Sequence, residues 1–204
     1  MRVGVLASGF GSNLGAILSR LHGAGEGVEV VAVGSAKPQA EALARASAAN
    51  IPQRAFPLAD HGGDRATRDA AMAAWLSESG TELVVLAGYM QLVTPAFLAR
   101  FPDRVINVHP ALLPAFAGLR AIEQALAYGV KVFGVTVHFV DEGVDSGRII
   151  AQRSIELPDA RTPDDVLAAL RPLEHDLLTA AVRDIAAGRV RPDPAHGRRV
   201  LIDR

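Results

Sequence analysis

Short apolar runs alternate with amphipathic stretches from the first residues of the chain onward. Arg2 to Ser8 is a brief β-branched run ended by Gly9, which predicts a buried strand. Leu14 to Leu21 repeats apolar residues at helical spacing. Val28 to Gly34 predicts a second buried strand, and the alanine-rich Pro38 to Ala48 a helix. Arg65 to Ser79 reads as a helix, Glu82 to Ala87 as a strand, and Pro95 to Arg100 as a short helix with proline near its start. Arg104 to Val108 is then a strand and Ala121 to Ala127 a helix. Val130 to Val140 and Arg148 to Leu157 are β-rich and predict an antiparallel pair. Thr162 opens a last helix, with Pro163 in its first turn and Asp164 and Asp165 beside its positive end. Pro172 lies inside that helix and predicts a kink.

Strands alternating with helices imply parallel strands joined by crossovers. The expected fold is α/β and Rossmann-like: a mostly parallel twisted sheet, helices on both faces, and an antiparallel β segment in the C-terminal half. One domain over residues 1–188 is expected, with a phosphate-binding half to about residue 100 and a catalytic half from about 101. Residues 189–204 are rich in Pro, Gly and Arg and read as a loosely held tail.

Composition narrows the classes of function. A formal net charge of -1 gives no basic field for nucleic acid or anionic membrane. The absence of cysteine removes disulfides, thiol nucleophiles and thiolate metal sites. No signal-peptide core and no apolar run of membrane-spanning length is present, so a soluble cytoplasmic protein is expected.

Three places carry candidate chemistry. Gly9-Phe10-Gly11-Ser12-Asn13 lies between the first strand and first helix, where free amides at a helix start bind anions. Read alone, it is either an anion loop or a tight turn capped by Ser12 or Asn13. A dinucleotide fingerprint would need a glycine where Leu14 stands and an acidic residue where Gly34 and Ser35 stand. Asn107 and His109 share one side of their strand at its carboxyl end, where open α/β sheets place ligands. An amide donor beside an imidazole suits oxyanion stabilisation and proton transfer. Asp141, Glu142 and Asp145 lie in a turn with Gly143, Ser146 and Gly147. That turn is either a solvated acidic loop or the source of a carboxylate for His109, favouring its charged form.

The segments GSN, VVLAGYM, INVHPALLPAFAG and VHFVDEGVDSGRIIAQ, in this order from Arg2 to about Gly188, resemble the folate-dependent formyltransferase family, and within it the glycinamide ribonucleotide formyltransferases. The resemblance implies transfer of a formyl group from 10-formyltetrahydrofolate, as co-substrate, to the amine of glycinamide ribonucleotide in purine biosynthesis. It implies that Gly11, Ser12, Asn13 and Leu14 hold the phosphoribosyl end and that Glu174 approaches the glycinamide end. It implies that Arg65, Met90, Gln91, Leu92 and Val93 serve the folate, together with Asn107 and backbone groups of Asp141, Glu142, Gly143, Val144 and Asp145. Outside the resemblance, Met90, Leu92 and Val93 read as core packing and Arg65 as a solvated residue at a helix start. Asn107 and His109 would polarise the formyl oxygen, with His109 as general acid and Asp145 orienting it. This chemistry calls for no metal and no covalent enzyme intermediate. Its partners are small molecules, and both a monomer and a homodimer fit.

The sequence departs from the family pattern at Ala111, where Ser is common, at Gln91, where Arg is frequent, and at Arg120, where His is usual. Arg120 either supplies a substitute charge or lies on the surface. Three other readings stand beside this one. A formyltetrahydrofolate hydrolase usually has an N-terminal regulatory domain, for which a first strand at Arg2 leaves no room. A non-catalytic nucleotide-binding module would use the glycine loop but not Asn107, His109 and Asp145. Methionyl-tRNA formyltransferases add a C-terminal RNA-binding domain, and this sequence stops soon after its last helix.

Overall fold

The computed structural model describes residues 1–203. Arg204, the last residue of the expected tail, lies outside the described residues. The elements follow in the order β1 (Arg2–Leu6), α1 (Ser12–Arg20), β2 (Glu29–Ser35), α2 (Glu41–Ala48), β3 (Gln53–Ala55), α3 (Arg65–Glu78), β4 (Leu83–Leu86), α4 (Pro95–Arg100) and β5 (Val105–His109). Then come α5 (Ala121–Tyr128), β6 (Val132–Phe139), β7 (Ile149–Glu156), α6 (Pro163–Ala186), β8 (Val190–Pro192) and β9 (Val200–Ile202). Seven strands form one sheet in the order β3-β2-β1-β4-β5-β6-β7. β1 pairs in parallel with both β2 and β4, and β4 in parallel with β5. β6 and β7 are antiparallel. The expected α/β sheet with an antiparallel segment in the C-terminal half is the one observed.

The chain divides into two compact units, Met1–Asn107 and Val108 onward. In the first, Val3, Val5, Leu6, Val33, Leu83 and Val85 are buried on the strands, and Leu14, Ile17, Met72 and Leu76 on the helices against them. Strand order reverses at β1, which has β2 on one side and β4 on the other. Right-handed crossovers running outward to β3 and then back place the two helix pairs on opposite faces. In agreement, α1 packs on α2 and α3 on α4. In open sheets such a reversal marks the usual ligand position, here the carboxyl ends of β1 and β4.

In the second unit α6 lies along β6 and β7, burying Val166, Leu170, Leu177, Leu178 and Val182. A capping box starts it. Thr162 Oγ1 accepts the Asp165 amide at 3.2 Å, and Asp165 Oδ2 accepts the Thr162 amide at 2.9 Å. The helix then runs through Pro172 without a break. Pro172 and Ala168, whose carbonyl loses its partner, both lie on the exposed face, where water can replace the missing hydrogen bond.

Other boundaries shift for local reasons. α2 begins at Glu41, because Ser35 Oγ accepts the Lys37 amide and the Ala40 amide bonds the Lys37 carbonyl, making a turn first. β3 is a three-residue edge strand with two exposed positions, so it carries no apolar pattern. After Gly188 the stretch expected as a loose tail forms an antiparallel hairpin of β8 and β9. Arg189 pairs with Asp184 at the end of α6, and Arg191 with Asp203 across the hairpin.

Candidate active site

The glycine loop leaves β1 and enters α1 with Gly11 as N-cap, at φ 75° and ψ 37°. A Cβ at Gly11 would lie 2.8 Å from that of Ala42, so both the left-handed turn and the close approach of α2 require glycine. With glycine as N-cap, no side chain caps the helix start. Beside the loop, Arg45 Nε donates to the Phe10 carbonyl at 2.8 Å while its guanidinium covers the Phe10 ring at 4.1 Å. Asn13 and Leu14 are buried.

The loop after β4 runs alongside. The Ser8 amide donates to the Gly88 carbonyl at 3.1 Å, and Ser8 Oγ accepts the Met90 amide at 3.0 Å. Met90 and Leu92 are 63% and 54% exposed, so core packing does not account for them. The Gln91 side chain is held by Arg68 Nη1. Arg65, exposed at the start of α3, donates through Nη2 to the Leu92 carbonyl at 2.9 Å. The structure therefore brings Arg65 and residues 90–94 together.

β5 carries Asn107, half-buried, and two residues on His109, 5% exposed. In the second unit His109 Nδ1 lies 3.2 Å from Asp145 Oδ2, so the imidazole–carboxylate contact exists. The other ring nitrogen, Nε2, is 2.9 Å from the Phe116 carbonyl oxygen. Asp145 Oδ2 also accepts the Gly118 amide at 2.8 Å, and Oδ1 faces His138 Nε2 at 3.5 Å. His138, buried on β6, has its Nδ1 2.8 Å from the Phe139 carbonyl. Each imidazole thus faces acceptors at both nitrogens, which a doubly protonated ring fills and a neutral ring fills only once.

Burial alone would raise the Asp145 pKa. The His138 hydrogen bond, the Gly118 amide and the charge of the two imidazoles outweigh it and bring the value down from 3.8 to about 2. The carboxylate is held at φ 49°, in the left-handed region. Around it, Asp141 Oδ1 accepts the Gly143 amide at 3.1 Å and the Ser146 hydroxyl at 2.7 Å, tying the turn to itself. A Cβ at Gly147 would fall 1.7 Å from the Phe139 carbonyl oxygen, so glycine there lets the turn close against β6.

The remaining expected residues fall in various places. Glu142, Gly143 and Val144 are exposed on the turn. Glu174 is 8% exposed on α6, two residues beyond Pro172. Arg120 is on the surface, its side chain 77% exposed and 3.6 Å from Glu123. Ala111 is buried, and its carbonyl accepts the Thr136 hydroxyl at 2.7 Å. Two features were missed from the sequence: His138, the second imidazole on Asp145, and the buried pair Arg68–Asp69 beneath the 90–94 loop. Both had a signal. His138 is an ionisable residue within an apolar strand, and Arg68 and Asp69 share the helical face of Met72 and Leu76.

The fold is α/β, with a glycine loop at the start of α1 in the first unit and, in the second, an imidazole held by a carboxylate, a pair suited to proton transfer. The chain belongs to the formyl transferase family, whose model matches residues 1–182. It is 39% identical over 181 residues to the phosphoribosylglycinamide formyltransferase of Bacillus subtilis (strain 168), covering 89% of this chain and 92% of that one. It superposes with a TM-score of 0.92 and 43% identity on the glycinamide ribonucleotide transformylase 1 of Symbiobacterium toebii, covering 99% of this chain and 93% of that one. A formyltetrahydrofolate deformylase from Pseudomonas syringae pv. tomato matches with a TM-score of 0.90 but 26% identity, covering 100% of this chain and 66% of that one.

Proposed function

We propose that the protein transfers the formyl group of 10-formyltetrahydrofolate to the amine of glycinamide ribonucleotide, giving formylglycinamide ribonucleotide and tetrahydrofolate in purine biosynthesis. The observation that carries this reading is the His109–Asp145 contact at 3.2 Å on a chain of this family. A reading as a nucleotide-binding module leaves that contact without a purpose.

In this reading the amides of Gly11, Ser12, Asn13 and Leu14 receive the substrate phosphate at the positive end of α1. Glu174 faces the glycinamide end. Met90, Leu92 and Val93 offer the folate ring an apolar edge, and the backbone of residues 141–145 meets its polar edge. The substrate amine attacks the formyl carbon, and the formyl oxygen takes up negative charge. The Asn107 amide and the Nε2–H of His109 stabilise that charge. Nε2 is the donor available for this step, because Asp145 occupies Nδ1; the developing oxyanion displaces the Phe116 carbonyl as its acceptor. Collapse of the tetrahedral intermediate breaks the carbon–N10 bond. The attacking nitrogen loses a proton, and N10 of the departing tetrahydrofolate gains one, relayed by His109. The balance needs no oxidant, reductant or hydrolytic water. In this reading the site belongs to an enzyme of the cytoplasm that works on small molecules.

Product analysis tests the reading. Mass spectrometry of a reaction holding both substrates should find the formylated ribonucleotide in equal amount to the tetrahydrofolate formed. Free formate in its place would assign the chain to deformylation.

A further inference from the structure

The loop at residues 90–94 is attached to α3 by a charge pair that formyl transfer itself does not employ. Arg68 and Asp69 have side chains with no exposed surface. Asp69 divides its oxygens between two tasks. Oδ1 accepts from Arg68 Nε at 2.9 Å and Nη2 at 2.7 Å, and Oδ2 accepts the Thr94 amide at 2.8 Å. The remaining arm of Arg68, Nη1, donates to Gln91 Oε1. One turn earlier on the helix, Arg65 takes the Leu92 carbonyl. The pair therefore grips the loop at both ends, at Gln91 and at Thr94, with Met90 and Leu92 exposed beside it.

A buried ion pair is a weak source of stability, since apolar residues of similar volume commonly do as well. A buried pair whose polar atoms are spent on one loop is instead suited to fixing that loop's shape. We propose that Arg68 and Asp69 are positioning residues for the 90–94 loop and thereby set the affinity for the flat heteroaromatic ring of the folate, without touching it. This rests on the formyl-transfer reading above. Gln91 belongs to the same device: its side-chain oxygen is committed inward to Arg68.

The test uses three substitutions in the full chain. Arg68→Met removes the grip on Gln91. Gln91→Ala removes the same contact from the exposed side and leaves the buried pair in place. Thr94→Pro deletes the amide that Asp69 accepts, at a residue whose φ of -79° proline can adopt. Each variant should raise KM for 10-formyltetrahydrofolate about tenfold or more while KM for the ribonucleotide stays within about twofold. Arg68→Met and Gln91→Ala should be non-additive, the double variant matching the worse single one. An unchanged folate KM in folded Gln91→Ala and Thr94→Pro would overturn the proposal, as would an equal rise in both KM values. If Arg68→Met does not fold, those two variants still decide. A readout without substrate separates this claim from the functional reading. Amide exchange across residues 90–94, followed by NMR, should accelerate in the variants and not at the glycine loop. Accelerated exchange together with failure of the unaltered protein to bind tetrahydrofolate by calorimetry would overturn the functional reading, and the folate part of this proposal with it. Unchanged exchange would overturn the positioning role itself.

Discussion

Asp145 gathers two imidazoles and a backbone amide around one carboxylate. That crowding has a consequence for stability. An acid whose folded-state pKa lies below its unfolded value binds fewer protons when folded, so it stabilises the fold above the unfolded pKa. For Asp145 this contribution is complete above 3.8 and disappears as the pH falls through about 2. Urea unfolding across that window should show Asp145→Asn losing less stability than the unaltered protein; parallel pH profiles would contradict the assignment. His109→Asn is the sharper test of chemistry. Asparagine keeps a hydrogen-bond donor but cannot carry a proton, so kcat should fall by roughly 10²–10⁴ with both KM values preserved. A variant at full rate would remove His109 from its role. Asn107, His109 and Asp145 were legible as candidates because strand alternation and a glycine-rich turn mark positions where polar side chains meet ligands. His138 was not, since an imidazole inside a strand reads equally well as packing. Arg68 and Asp69 were not either, because their partners, Gln91 and Thr94, lie more than twenty residues downstream.

At the scale of elements, local signals and packing agreed along most of the chain. The start of α6 was legible in Thr162, Pro163, Asp164 and Asp165, and the structure adds the reciprocal capping box between Thr162 and Asp165. Thr162→Ala should cost about 1 kcal/mol in urea unfolding, with the N-terminal turn of α6 the first to lose amide protection. An unchanged unfolding free energy would mean that packing of Val166 and Leu170 alone holds that end. Pro172 was expected to kink this helix. The helix is continuous through Pro172, which a kink also allows, and its disrupted turn faces outward, an exposure set by the tertiary arrangement rather than by the residue. β3 escaped notice for a similar reason: three mostly exposed residues are held by pairing with Val33, Gly34 and Ser35, and pairing leaves no periodic trace. The β8–β9 hairpin was hidden by a composition of Pro, Gly and Arg. Its arginines find partners at Asp184 and Asp203.

For the whole molecule, the alternation of strands and helices foretold a parallel sheet, while the strand order came only with the structure. That order matters to function, because reversal at β1 places the glycine loop and the 90–94 loop side by side at the carboxyl ends of β1 and β4. In the proposed reaction the formyl group goes to a ribonucleotide amine and not to water. The most direct test follows deformylation of 10-formyltetrahydrofolate by absorbance, with and without glycinamide ribonucleotide. Turnover is expected only when the ribonucleotide is present. Deformylation at the same rate in its absence would contradict it and make the protein a hydrolase.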